Sequence, residues 1–537
     1  MPGHRRTLPT AVVALAMLSA CGGGGGSTTG SGTASGAPGG SDAAVTKGGA
    51  LVLALAEDPD VLDPSLGRTL VGREVFINMC EKLYDVDEGL KIVPQLAAAL
   101  PQTSPDGLSV TIALRKDVKF NDGTPFDATA VKTSLDRHIG IKGSARKSEL
   151  AAVAGVAVVD PATVKLTLKQ PFAPLTGQLA DRAGMVMSPA QLTKLGEDFG
   201  SSPVCVGPFS FVSRQAGNSI ALKKSTEYYD AAKVNLDTIT YRVITDANVR
   251  LANVRSGDVQ VSERISATDI DKIKSDQSVK LVTGEPLGYQ GVSINIGNTA
   301  GVGEPAGKVT TPLGTNADLR KAFELSLDRE VINKVVFAGQ YVPGCYPLPP
   351  GNPFLDASLT CTGRDLDEAK KLIAASGAPS PVPVELMIGT SPENLRIGQV
   401  IQSLAKEAGF DVRIKSTEFA SALDASDAGK YEAFQVGWSG RVDPDGNIND
   451  FLASGGARNI SGLSDPAVDK ALAASRASSV MEERKQAFTE ALKLAAEQRP
   501  IIYLYHQRNF LVSTPKVAGI DFYADGLPRL KTAGLTA

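Results

Sequence analysis

The chain is short of imidazole, thiol and large aromatic groups. Aromatic residues make up 5% of its 537 positions, with a single tryptophan, three histidines and five cysteines. His4 sits in the extreme N-terminus, so only His138 and His506 remain for the body of the chain. With no Cys-x-x-Cys either, a zinc or haem centre has no ligand set, and no cofactor or metal is expected. An excess of positive charge is also missing: 55 Lys and Arg face 58 Asp and Glu, a net charge of −3. No basic cluster carries interleaved aromatics, which excludes nucleic acid as the partner. Past the N-terminus no apolar run is long enough to span a bilayer.

The N-terminus has the build of a processed leader. His4, Arg5 and Arg6 form a basic start, and Ala11 to Leu18 is a short apolar run. It leads into Leu18-Ser19-Ala20-Cys21, which resembles the lipobox of bacterial lipoproteins, where cleavage precedes a cysteine that then carries lipid. A plain secretory signal with a chance Cys is the alternative. From Gly22 to Lys47 almost every residue is Gly, Ser, Thr, Ala or Pro. Such a stretch cannot bury enough apolar surface to fold, and as a random coil it reaches about 30 Å. The expected organisation is a signal peptide over 1–20, lipidated Cys21, and a tether over 21–47. Outside the cytoplasm the other four cysteines can oxidise. Cys345 and Cys361 lie close in a Pro/Gly-rich segment and are read as one pair, leaving Cys80 with Cys205; four buried free thiols are the alternative.

A length of 537 residues exceeds one hydrophobic core and calls for two or more lobes. Strand-like and helix-like segments alternate. Ala50 to Ala56, Val110 to Leu114, Val164 to Leu168, Ile220 to Leu222 and Ile239 to Val243 read as strands. Leu319, Phe323 and Leu327 recur every four residues, as on one helix face. Further on, a strand over Val384–Ile388, a helix from Glu393 to Glu407 stopped by Gly409, and strands over Val412–Ile414 and Tyr431–Val436 follow in turn. Strand–helix–strand units imply parallel sheet and an α/β fold, and ligands in such folds bind beyond the carboxyl ends of strands. That rule puts a ligand beside "GWSGRVDPDG", Gly437 to Gly446, which holds the only tryptophan, Trp438.

Catalytic motifs fail at their critical positions. Gly437-Trp438-Ser439-Gly440-Arg441 has Arg where a nucleophile elbow needs Gly. "GVGEPAGKV" has Val302 for the first glycine of a phosphate loop and Val309 for its Ser or Thr. The run from Asp443 has Ile448 and Ser454 where a calcium loop needs Gly and Glu. The chain is therefore read as a binding protein, with a secreted hydrolase as the alternative from another class.

Several long motifs occur in one order. "LRKDVKFNDGTPFDATAVKTSLDR" (Leu114 to Arg137), "PVCVGPFSF" (Pro203 to Phe211), "LRKAFELSLDREVI" (Leu319 to Ile332) and "RPIIYLYH" (Arg499 to His506) together resemble the peptide/nickel-type extracellular solute-binding proteins of ABC importers, family 5. The resemblance implies a two-lobed, class II periplasmic-binding-protein-like fold with an additional subdomain. Lobe I would comprise 48–89, 204–305 and 500–537, the extra subdomain 90–203, and lobe II 306–499. It also implies a monomer, anchored outside the cytoplasm at the cell membrane, that closes over a small peptide-like or anionic solute and hands it to a permease. A nickel or metal-chelate receptor and a sensor-type binding protein are the alternatives within the fold.

In peptide-binding members, the third residue after this tryptophan is an Asp that pairs with the peptide amine. Here it is Arg441, a guanidinium suited to carboxylate or phosphate. Asp443 either neutralises Arg441 or leaves it for an anionic group of the ligand. Dipeptide binders also carry an Arg on the strand before the Glu393 helix, and "VELMIGTSP" has none. An ordinary zwitterionic dipeptide is therefore not the expected ligand. Arg73, Tyr289, Asn295 and Glu57 complete the candidate cleft residues, each with a structural alternative: surface pairing for Arg73, core packing for Tyr289, a solvated turn for Glu57 and its neighbour Asp58.

Overall fold

The computed structural model describes residues 45–537, which belong to one compact unit. The expected signal peptide, Cys21 and nearly all of the tether lie outside the described residues. Among the described residues no helix is long and apolar enough to cross a membrane.

The first sheet has seven strands in the order Lys280–Gly284, Asn509–Ser513, Val261–Glu263, Ala50–Leu55, Thr238–Val243, Ser219–Lys224 and Phe209–Gln215. Ala50–Leu55 runs parallel to both of its neighbours. Its Leu51, Leu53 and Leu55 are fully buried, as the apolar run requires. The sheet thus gathers segments from the start, middle and end of the chain.

The second sheet has six strands in the order Val342–Pro343, Ile501–His506, Tyr289–Ile294, Ala433–Trp438, Val382–Gly389 and Phe410–Thr417. Its core is the expected strand–helix–strand series, with Val382–Gly389 parallel to Phe410–Thr417 and to Ala433–Trp438. The helix between the first two spans Pro392–Ala408. Ser391 caps it by accepting from Asn394 N at 3.1 Å, and Pro392 fits the first turn, where no N–H is needed. Ile397, Ile401 and Leu404 bury its inner face.

A four-stranded sheet, Gln102–Thr103, Ser109–Ala113, Thr163–Leu168 and Val153–Asp160, forms the body of the inserted subdomain. The helix Ala128–Gly140 covers it, capped by Asp127, which accepts from Ala130 N at 2.9 Å. Val110, Ile112, Val164 and Leu166 from the strands meet Val131 and Leu135 from the helix in a buried core.

The two large sheets exchange strands differently from the boundaries drawn at 305 and 500. Tyr289–Ile294 and Ile501–His506 hydrogen-bond to each other and within the second sheet. The chain therefore crosses between sheets at residues 285–288 and 507–508. An apolar strand reads the same in either sheet, so only pairing partners decide which one it joins.

All four remaining cysteines are bonded, Cys80 to Cys205 and Cys345 to Cys361, which sets the free-thiol alternative aside.

Candidate functional site at the lobe junction

Trp438 ends its strand opposite Tyr289 of the neighbouring antiparallel strand. The turn beyond it is held by one side chain. Asn447 Oδ1 accepts from Trp438 Nε1 at 3.0 Å and from Arg441 N at 2.6 Å, while its Nδ2 donates to Arg441 O at 2.8 Å. The turn also lies directly on the crossover segment. A Cβ on Gly440, whose φ is +90°, would stand 2.5 Å from the Leu287 carbonyl carbon, so only glycine fits there.

Arg441 is buried and points at the inserted subdomain, where its Nε lies 2.6 Å from Asp181 Oδ2. Asp181 Oδ1 accepts from Arg73 Nε at 3.2 Å, and Arg73 Nη1 donates to Ser439 Oγ at 3.4 Å. Arg73 sits on the helix Leu70–Phe76 of the first lobe. One carboxylate from the inserted subdomain thus joins arginines from both large lobes. Burial works against the Asp181 carboxylate, yet Arg441 and Arg73 hold its pKa well below the usual range. Burial lowers the pKa of Arg441 to about 9, with Asp181 opposing the shift.

The Trp438 ring is flanked by cations. The Arg441 guanidinium carbon lies 4.2 Å from its centroid and that of Arg458 4.5 Å. Arg458 Nη2 approaches Glu149 Oε1 at 3.6 Å, and Glu149 is also paired with Arg146. Arg146 and Arg182, both fully buried, donate to the same carbonyl, Gly67 O, at 3.2 and 2.7 Å. Burial, and then the Arg146 charge, push the Arg182 pKa well below its ordinary value.

The other candidate residues fall in different surroundings. Asp443 does not pair with Arg441: its oxygens accept from Arg484 Nη2 at 2.6 Å and Nη1 at 2.9 Å. Tyr289 is 3% exposed and packs edge-on against Tyr503 and Phe451, the latter also touching Trp438. Asn295 is buried and spent on the backbone, donating to Asn298 O at 2.9 Å and accepting from Asn298 N at 2.9 Å. Glu57 belongs to a second group, accepting from Arg264 Nη1 at 2.7 Å near Glu263 and buried Glu74. Asp58 pairs with Arg214 at 2.9 Å. A recess of about 190 Å³ bordered by Asn298, Pro305, Ser454 and Ser464 contains none of the arginines.

Sequence reasoning singled out Trp438, Arg441 and Arg73, and these meet. It missed Arg146, Glu149, Asp181, Arg182 and Arg458. No periodicity or motif marks them, and although Asp181 adjoins Arg182 and Arg146 lies three residues before Glu149, only folding brings these pairs and Arg458 together.

Direct contacts close the junction elsewhere. Arg68 of the first lobe reaches Asp427 at 2.8 Å and Asp424 at 3.0 Å in the second. Ser148 Oγ donates to Asp450 Oδ2 at 2.8 Å. Gly177 lies against Asp443 so closely that a Cβ there would be 2.9 Å from the Asp443 Cβ.

Residues 91–459 match the model of bacterial extracellular solute-binding proteins, family 5 Middle. Among curated proteins, the chain is 28% identical over 487 residues to the glutathione-binding protein GsiB of Salmonella choleraesuis, covering 88% of this chain and 92% of that one. Among solved structures, it is similar to the periplasmic binding protein DppA from Helicobacter pylori in complex with the peptide STSA. That match has a TM-score of 0.82 and 21% identity, over 92% of this chain and 99% of the other. It is also similar to the binding protein AgaA from A. tumefaciens R10 in complex with agropinic acid, with a TM-score of 0.78 and 24% identity, over 91% and 99% of the two chains.

Proposed function

Because this chain belongs to the extracellular solute-binding proteins of family 5, a family of ABC-importer binding proteins and not of enzymes, we propose that it is the membrane-tethered receptor of one such importer. It captures a small solute between its lobes and presents the closed form to a permease. Cys21 carries the lipid, and residues 21–47 form the leash that keeps the receptor near its partner at high effective concentration.

The observation that carries this reading is the chain of contacts from Arg73 through Asp181 to Arg441, stacked on Trp438. It couples three distant parts of the chain through one desolvated ion group. A solute that touches all three parts favours the arrangement in which they meet, and so shifts the population toward closure.

Two contacts that the family resemblance implies for a zwitterionic dipeptide have no counterpart here. Arg441 stands in place of the amine-binding Asp, and the strand Val382–Gly389 carries no Arg. Both histidines are buried and spent on the chain itself: His138 bonds Ser65 and Met185 O, and His506 bonds Gly288 O. Neither is offered to a metal chelate.

The test is capture. Protein purified without refolding, examined by native mass spectrometry, is expected to carry a small solute that denaturation releases. A bare mass, together with no thermal stabilisation by any solute extract, would remove the receptor reading.

A further inference from the structure

The junction holds more buried positive charge than its own carboxylates neutralise. Arg73, Arg146, Arg182, Arg441 and Arg458 are gathered there, and the carboxylates among them are Asp181, Glu149 and Asp450. Among the described residues Arg182 makes no ion pair. Asp427 faces the same group and shares Arg68 with Asp424 and Asp60, so it offsets part of the arginine charge, while Asp445 is engaged by Arg476 at 2.6 Å. The cations still outnumber the carboxylates, and Arg146 and Arg182 are fully buried, Arg73 and Arg441 almost so, and Arg458 partly.

Part of this charge has no hydrogen-bond partner among the described residues. Arg182 Nε and Nη2, Arg146 Nε and Arg441 Nη2 are buried donors without an acceptor. An unmatched buried ion costs several kcal/mol, and arginine does not relieve that cost by losing its proton. An anion supplied from outside the chain removes the deficit.

We propose that the cleft selects a solute carrying at least two carboxylates, one received by Arg441 on the second lobe and the other by Arg182 with Arg146 on the inserted subdomain. The inference rests on the receptor reading and adds the chemical class of its ligand. A guanidinium edge offers two parallel N–H groups, and Arg182 Nε with Nη2 is such an edge, unengaged. Asp181, lying between Arg73 and Arg441, shows that the pocket accepts the geometry of a carboxylate. The Trp438 face, already flanked by Arg441 and Arg458, closes one side of the group.

The full chain, purified in detergent and freed of retained solute, is titrated calorimetrically with Asp-Glu, tricarballylate, Ala-Ala, Lys-Lys and inorganic phosphate. The polycarboxylates Asp-Glu and tricarballylate are expected to bind at least tenfold more tightly than Ala-Ala, and Lys-Lys not at all. Arg182→Gln is expected to weaken the acidic ligands about tenfold or more, with Arg182→Lys regaining part of the loss. Because a buried arginine variant risks misfolding, the solute retained by the unmodified protein gives a second reading, expected to carry two or more carboxylates. If Ala-Ala or Lys-Lys binds best, or the retained solute carries fewer than two acid groups, the ligand class is wrong while the receptor reading stands. Tightest binding of phosphate overturns the carboxylate assignment. No binding by any probe, with no retained solute, overturns both.

Discussion

Arg441 Nε lies 2.6 Å from Asp181 Oδ2, 260 positions away in the chain, although Asp443 is only two residues on. Asp443 is committed to Arg484, so the nearest carboxylate in sequence is unavailable. The pair joins the second lobe to the inserted subdomain. Removing one partner from a buried pair costs about 3–5 kcal/mol, because the other charge is left desolvated. Arg441→Ala is therefore expected to part the lobes, rehydrating Asp181. Small-angle scattering should show a larger radius of gyration, and the denaturation midpoint should fall. An unchanged radius and midpoint would show that the pair does not hold the junction together.

Gly177 offers a way to open the junction without altering the Arg441–Asp181 pair. A side chain at 177 must displace the Asp443 side chain, since even a Cβ falls 2.9 Å from the Asp443 Cβ. Overpacking of this kind costs about 1–3 kcal/mol. Gly177→Leu is expected to weaken solute binding by about tenfold, the equivalent of roughly 1.4 kcal/mol. Trp438, the single tryptophan, reports the same event, since parting the lobes wets its ring and shifts its emission to the red. Affinity and emission both like those of the unmodified protein would count against closure at this contact.

Both body histidines are buried and bonded while neutral, with pKa values lowered by burial from 6.5 to about 4. The unfolded chain binds their protons at higher pH than the folded one. Their contribution is complete above about pH 6.5 and is lost as pH falls toward 4, at about 3 kcal/mol for each. Thermal stability is expected to drop steeply across that window. His138→Gln should flatten the drop by roughly half of the histidine share, read as melting temperature against pH; an unaltered slope would remove His138 as a source.

The two disulfides close loops of very different length, with sequence separations of 125 for Cys80–Cys205 and 16 for Cys345–Cys361. In the chain-entropy account the first stabilises by about 5 kcal/mol and the second by about 3 kcal/mol. A Cys80→Ala, Cys205→Ala double variant is expected to lower the denaturation midpoint more than the Cys345→Ala, Cys361→Ala variant. The reverse order would show that loop length does not govern their effect.

Local structure was largely legible. The strand over Val384–Ile388, the helix stopped at Gly409 and the strand leading to Trp438 appear as Val382–Gly389, Pro392–Ala408 and Ala433–Trp438. Period, caps and stop residues act over a few positions, and those positions are adjacent in the chain. The placement of Trp438 at the end of a strand, in the turn that carries Arg441, followed from the same rules; the meeting of Arg73 with that turn did not. Core packing was legible for Tyr289 as one of two readings, whereas the burial of Asn295 just past the strand end was not.

The sequence by itself determined the alternation of elements, the failure of every catalytic motif and the family, because each of these is written in contiguous residues. Tertiary structure alone decided which sheet received Tyr289–Ile294 and Ile501–His506. It decided that Asp443 served Arg484, that Asp181 met Arg441 and Arg73, that Arg146 and Arg182 converged on one carbonyl, and that Arg458 reached the indole. Pairing between charges depends on distance in space and on burial, and neither quantity is carried by spacing along the chain.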